Sequence, residues 1–293
     1  MTKISLSIRR WKNIITKIKL LYKRVEALES NVNNLIINNY HKYSEIRDQK
    51  AIFKLNEYKV YSQNGEDGIL MYVFSKIGIQ NNTVVEIGIG DGAECNSRNL
   101  IENFGWNAWL IEGSKKNAGE ATSFYDGNHN VNVRHEWITM DNIENVLMEA
   151  GVPDSIDLLS IDIDGNDYWI WEKIDRIKPR VVVIEYNASF GNIRSVTVPY
   201  GPEFDRFKKH KSGYYHGASL NAMEKLGYKK GYTLVCCDSN GVNALFIRED
   251  LLDETSLYET TATDAYYTIR KRDIIMSPQE QYDLIKYLGF VKV

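Results

Sequence analysis

Three cysteines, Cys95, Cys236 and Cys237, are too few and too poorly spaced for a disulfide framework or a zinc cluster. Reduced thiols in a cytoplasmic protein are expected. Long apolar runs are also lacking. No stretch reaches the roughly 18 apolar residues of a membrane-spanning helix. The amino terminus has no unbroken apolar core and no small-residue cleavage site, so a signal peptide is not expected. Most of the chain lacks a basic footprint. The net charge is −3, yet the first 25 residues hold eight Lys or Arg and no acid, which leaves 28 basic and 39 acidic residues, or −11, in the other 268. Nucleic acid is a poor partner for so acidic a body.

Between positions 11 and 35 the apolar residues Trp11, Ile14, Ile18, Leu21, Val25, Leu28, Val32 and Leu35 alternate at spacings of three and four. Taking Trp11 as position a, branched residues dominate a and Leu dominates d, the pattern of a parallel two-stranded coiled coil. The spacing predicts a basic helix over 1–40 that makes the protein a homo-oligomer. The same stripe beside Lys12, Lys19 and Lys23 also fits peripheral contact with an anionic membrane. Residues 41–60 read as a connector.

From residue 84 onward, short β-branched strands (84–89, 108–111, 130–137, 156–163 and 181–185) alternate with helical stretches (97–104, 142–150 and 168–175). Such alternation predicts an α/β sheet, mostly parallel and covered on both faces. A sixth strand over 233–238 is followed by Asn240-Gly241 and another strand-like run. This is a hairpin signal, so the sheet should finish with an antiparallel pair. A final helix is expected over 278–288.

The first strand runs into VVEIGIGDGAE, where Gly88, Gly90 and Gly92 allow a tight turn and a close approach to a ligand. Gly88, Gly90 and Ala93 also fit the G-x-G-x-x-G/A nicotinamide fingerprint. Glu112 ends the second strand, where a carboxylate can accept hydrogen bonds from both hydroxyls of a ribose. Together these features indicate an adenosine-type cofactor without choosing which.

Glu86-x-Gly88-x-Gly90-x-Gly92 is similar to the first motif of class I S-adenosylmethionine-dependent methyltransferases, which also end in an antiparallel hairpin. YSQNGEDGIL (61–70), VVEIGIGDGAECNS (84–97), DLLSIDIDGNDYWIW (157–171) and VVVIEYN (181–187), in that order, resemble the FkbM-type methyltransferases, and 216–250 continues the likeness. The resemblance implies a Rossmann-like domain over 61–250, followed by an extension over 251–293. It implies S-adenosylmethionine as cofactor, with Glu86, Gly88, Gly90 and Gly92 around its methionine part and Glu112 on its ribose. Asp141 would lie beside the adenine, and Gln63 and Glu66 would close over the ligand. It also implies O-methylation of a sugar, nucleotide-sugar or glycan in surface-polysaccharide assembly. Two other readings stand beside it. One is a nicotinamide oxidoreductase; the other is a non-catalytic scaffold whose coiled coil recruits glycan-assembly proteins.

LLSIDIDGNDYWIWEKI (158–174) ends an apolar strand with Asp162, Asp164 and Asp167. Alternation along a strand puts Asp162 and Asp164 on one face, at the carboxyl edge where open α/β sheets bind ligands. Like charges so close need an offset. The cofactor's positive charge beside Asp162 is one such offset. Mg2+ held by Asp162, Asp164, Glu185 and Asn187 is a second, and protonation or backbone capping is a third. Asp167 reads as a helix cap. Asp164 and His216 are the candidate general bases for deprotonating a hydroxyl. The basic run RFKKHK (206–211) lies in a long segment, 188–215, that reads as a substrate lid able to grip phosphate.

Overall fold

A computed structural model of the chain describes residues 48–253 and 255–293. The heptad stripe, and with it the 1–40 helix, lies outside the described residues. Residues 49–293 form one compact unit. Its opening helix α1 (Gln49–Asn56) is anchored by Gln49, whose side-chain amide donates to the carbonyl of Val235 at 3.0 Å. Helix α2 (Glu66–Ile77) follows, and then β1 (Thr83–Ile87), α3 (Arg98–Phe104), β2 (Asn107–Glu112), α4 (Lys115–Phe124) and β3 (Val131–His135). The second half begins with α5 (Ile143–Glu149), β4 (Ser155–Ile161), α6 (Asp167–Lys173) and β5 (Lys178–Glu185). After it come β6 (Val196–Thr197), α7 (Arg206–Lys209), α8 (Leu220–Lys229), β7 (Tyr232–Cys237) and β8 (Asn243–Arg248). Helices α9 (Ala262–Ala265), α10 (Arg270–Asp273) and α11 (Pro278–Asp283) precede β9 (Val291–Lys292).

Seven strands form one sheet in the order β3-β2-β1-β4-β5-β8-β7. The first five pair in parallel, and β8 joins β5 and β7 antiparallel. The expected Rossmann-like class I methyltransferase sheet with its antiparallel final hairpin is therefore present. Alternate residues of the central strands bury on opposite faces. Leu158, Val181 and Val183 pack on one side. Leu159, Ile161, Val182 and Ile184 pack on the other, under Ile170 and Trp171 of α6. Each buried side chain of this kind contributes roughly 1.5–3 kcal/mol, which is why such runs read as continuous apolar strands. At the β7–β8 turn, Gly241 has a φ of +76°. The Asp238 carboxylate caps the turn, accepting from the backbone N–H of Asn240 at 2.9 Å and of Val242 at 3.1 Å.

Three departures from expectation matter. Helix α4 was not foreseen, because KKNAGEATSF buries only Ala118 and Ala121 and shows no apolar stripe. Strand β4 stops at Ile161, so Asp162 and Asp164 do not share a strand face. Asp164 instead takes a left-handed backbone with a φ of +56°. The third is the final helix expected over 278–288. It breaks into α11, held by a Ser277–Glu280 capping box, and a 3-10 turn (Lys286–Leu288).

The carboxyl-terminal segment does more than trail behind the sheet. Strand β9 pairs with β6, and fully buried Ile285 joins Phe190, Val198, Phe204 and Tyr215 in a small separate core. That core supports the segment 188–215.

Candidate active site

Strands β1 and β4 are neighbours whose onward connections run to opposite sides of the sheet. A crevice opens at their carboxyl ends, the switch point where open α/β sheets bind ligands. The cavity there has a volume of about 990 Å³, at the upper end of the range for small-molecule sites and enough for a cofactor and an acceptor together. Gln63, Glu66, Glu86, Gly88, Gly90, Glu112, Asp162, Asp164 and Glu185 all line it.

The glycine loop is fastened by the chain's own carboxylates. Buried Glu86 accepts from the backbone N–H groups of Asn96 and Ser97, each at 2.8 Å. Burial pushes its carboxyl upward, and these hydrogen bonds act the other way. Glu112 accepts from the N–H of Gly90 at 2.9 Å and of Ser114 at 2.7 Å. The three glycines serve different ends. A Cβ on Gly88 would sit 1.7 Å from the carbonyl oxygen of Asp162, so this position is dictated by strand crossing. A Cβ on Gly90 would meet nothing within 4 Å, which leaves the space over the loop open. Gly92 does not line the cavity. It packs on α4, where a Cβ would come within 3.0 Å of the Tyr125 ring.

Asp141 is likewise exposed and outside the cavity. Strand β3 ends at His135, and the wall after it is made by Glu136, Trp137 and Ile138. The Trp137 indole N–H donates to the carbonyl of Pro202 at 2.7 Å, which fixes its ring against Gly113. A tryptophan just past the third strand was a signal available in the sequence. At the other end, Glu66 accepts from the side-chain amides of Asn64 at 3.0 Å and Asn243 at 2.7 Å. The opposite oxygen of Asn243, Oδ1, is buried without a partner.

The floor is a cluster of acids. Oxygens of Asp162, Asp167 and Glu185 lie within 4.8 Å of one another, and Glu185 forms a second such group with Asp164 and His216. Burial, then the Glu185 and Asp164 carboxylates, hold Asp162 well above the usual carboxylate range. Glu185 is raised well above it too, by burial and then by Asp164 and Asp167. Asp167 caps the turn rather than its own helix, accepting from the N–H of Ile163 at 2.8 Å and of Gly165 at 2.9 Å. Burial still pushes it up to about 6. Asp164 stands at the mouth, ion-paired with Arg206.

His216 corrects an expectation. It is buried beneath the floor and does not line the cavity. Its Nδ1 lies 3.6 Å from Glu185 Oε2, and neither atom has a hydrogen-bond partner. Burial, then the Arg272 and Arg206 guanidinium groups, push its pKa down to about 3. The ring is therefore neutral. Asn187 corrects another. Its amide donates to the carbonyls of Tyr214 at 2.7 Å and His216 at 2.8 Å, and its oxygen accepts from the N–H of Ser189 at 3.0 Å. It shapes the loop that carries His216, and it is fully buried and does not line the cavity.

The far wall was not foreseen in full. Phe204 and Arg206 come from the lid segment, while Ile269, Arg270, Lys271 and Arg272 come from the carboxyl-terminal extension. No local pattern announces α10 as a wall, because tertiary folding alone brings Arg272 to Ser189, 83 positions away in sequence.

A comparison with curated protein sequences gave no match. Among solved structures, the chain is similar to a SAM-dependent methyltransferase from Aquifex aeolicus (13% identity, TM-score 0.40, covering 68% of this chain and 97% of that one). It is also similar to the precorrin-6y C5,15-methyltransferase of Geobacter metallireducens (14%, TM-score 0.40, covering 69% and 93%). A third is the N-terminal domain of EvdMO1, crystallised in the presence of SAH and D-fucose (13%, TM-score 0.38, covering 64% and 82%). Likenesses this distant carry no functional argument. The methyltransferase FkbM domain profile, by contrast, matches residues 8–230, most of the chain and every strand of the glycine-loop half of the sheet. On that match and this cavity, the chain belongs to the methyltransferase FkbM domain family and is an S-adenosylmethionine-dependent methyltransferase.

Proposed function

We propose that the chain methylates a hydroxyl of a sugar or sugar-derived acceptor in glycan or surface-polysaccharide assembly. The observation that carries the methyl-transfer part is the tethered glycine loop, open above Gly90 with Glu112 beside it. The sugar part rests on the motif resemblance of residues 61–250.

The residues present suit the cofactor. Each Glu112 oxygen already takes one backbone donor and keeps lone pairs for a ribose hydroxyl. Trp137 and Ile138 offer apolar surface to an adenine. Glu66, Asp162 and the unpartnered Asn243 Oδ1 offer acceptors to the cationic methionine end, and Gln63 also lines the cavity. S-adenosylmethionine, when bound, supplies an electrophilic methyl group on its sulfonium. In-line displacement then depends chiefly on how the acceptor oxygen is held.

Glu185 is the general base in this reading. It lines the cavity, and burial together with the neighbouring Asp164 and Asp167 carboxylates raises its proton affinity, which suits a base. It takes the hydroxyl proton on a carboxylate oxygen, with His216 lying behind it at 3.6 Å. Asp164 is the mouth residue that fixes Arg206. Glu185 is common to the two groups that could hold a divalent cation, Asp162–Asp167–Glu185 and Asp164–Glu185–His216, and its Oε2 is unpartnered; the carboxylates among them are hard oxygen ligands that suit magnesium. Magnesium would lower the pKa of the acceptor hydroxyl. The 1–40 segment is read as a self-association helix, with membrane contact as a second use of its basic face.

Calorimetry on the full chain tests the reading. S-adenosylhomocysteine should bind and NAD should not, and Glu112→Gln should weaken binding by about tenfold or more. With a sugar acceptor in hand, Glu185→Gln should lower kcat by about 10²–10⁴-fold while leaving S-adenosylhomocysteine affinity unchanged. NAD binding in place of S-adenosylhomocysteine would sink it. Activity unchanged by EDTA would remove magnesium alone.

A further inference from the structure

The cavity is lined by acids at the glycine loop, among them Glu86 and Glu112, and also by four basic residues, Arg206, Arg270, Lys271 and Arg272. Exposed Arg270 and Lys271 have no ion-pair or hydrogen-bond partner for their side chains among the described residues. Arg272 is half-buried; its Nη1 donates to Ser189 Oγ at 3.2 Å and its Nη2 lies 3.5 Å from His216 Nε2, both neutral groups. Arg206 gives one nitrogen to Asp164, and its Nε is buried without a partner. Two exposed cations, unpaired among the described residues, and a buried, unpartnered guanidinium Nε lining one cavity give it a field that draws an anion. Sugar hydroxyls need no such field. Asp164 pairs with Arg206, and Glu185 and Asp164 act on Arg272, so Arg270 and Lys271 are the cations left for a ligand; a phosphate ester carries about −1.5 to −2 and accepts forked guanidinium donors.

We infer that the acceptor carries a phosphate or diphosphate ester, seated on Arg270 and Lys271 with Arg206 Nε reaching it from the lid. This rests on the methyl-transfer reading of the same cavity. It gives the extension 251–293 a role in substrate choice. Two sources offer that chemistry, a nucleotide-linked acceptor and a lipid-linked one. The second is worth testing because Ile274 and Ile275, next along the chain, are 86% and 77% exposed.

The test titrates inorganic pyrophosphate into the full chain saturated with S-adenosylhomocysteine. Wild type should bind it, with affinity falling as salt rises. The double variant Arg270→Ala, Lys271→Ala should bind at least tenfold more weakly at an unchanged melting temperature, and the single charge reversal Lys271→Glu should weaken binding in the same direction. Pyrophosphate binding that is absent in wild type, or as tight in both variants as in wild type, overturns the inference and leaves methyl transfer standing. Failure to bind S-adenosylhomocysteine overturns both. Displacement of pyrophosphate by uridine diphosphate supports the inference with a nucleotide source. Co-sedimentation with phosphatidate vesicles, lost in the double variant, supports it with a lipid source.

Discussion

Gly88 and Gly90 stand two residues apart in one motif, yet substitution should separate their roles. At Gly88 a Cβ would overlap the Asp162 carbonyl at 1.7 Å, a contact that no side-chain motion relieves. Gly88→Ala should therefore lose more than about 3 kcal/mol of stability and leave little folded protein. At Gly90 only the left-handed backbone opposes a side chain, so Gly90→Ala should cost about 1–3 kcal/mol, melt cooperatively, and lose S-adenosylhomocysteine affinity. Thermal melts beside calorimetry read both. His216 makes a third residue-scale prediction. Its folded pKa of about 3 lies below its ordinary value, so between pH 3 and 6.5 the unfolded chain binds the extra proton. Acid should thus destabilise the wild type more steeply than His216→Gln across that window. Asp167, pushed up to about 6, works the other way, favouring the fold as pH drops from 6 toward 4. It does so in both proteins, so the difference between their melting curves isolates the histidine. Parallel curves would show that His216 is not held neutral.

At the scale of elements, the small core around Ile285 joins the extension to the lid segment. Ile285→Ala should cost about 2–5 kcal/mol and raise the KM for the acceptor, with little effect on S-adenosylhomocysteine binding. An acceptor KM that stays fixed would show that this core does not position the far wall. The elements also explain what the sequence could disclose. The glycine loop, Glu112 and the Asn240-Gly241 hairpin were legible, because each is a local backbone requirement written in residue type. The parallel strands were legible because burial on both faces demands unbroken β-branched runs. The alternation argument for Asp162 and Asp164 failed, because β4 ends one residue too early for it to apply. Asn187 and His216 looked available to a ligand only because the partners that occupy or bury them lie dozens of residues away. The same distance in sequence hid Arg272.

For the whole molecule, one compact unit spanning 49–293 carries the complete cavity, including the wall supplied by its last 25 residues. Removal of residues 1–40 should leave S-adenosylhomocysteine affinity unchanged while the mass measured by light scattering falls to that of a monomer. An unchanged mass would refute self-association through the heptad stripe. Among the described residues no helix is long and apolar enough to cross a membrane. Contact of this unit with a lipid surface is what the vesicle experiment reads. The tethering of the glycine loop also has a kinetic consequence. Because Glu112 holds the loop at Gly90 and Glu86 holds the chain that leaves it at Asn96 and Ser97, little conformational freedom remains for a ligand to remove. Association should then be a single encounter whose observed rate climbs linearly with ligand concentration and does not level off behind a slow rearrangement.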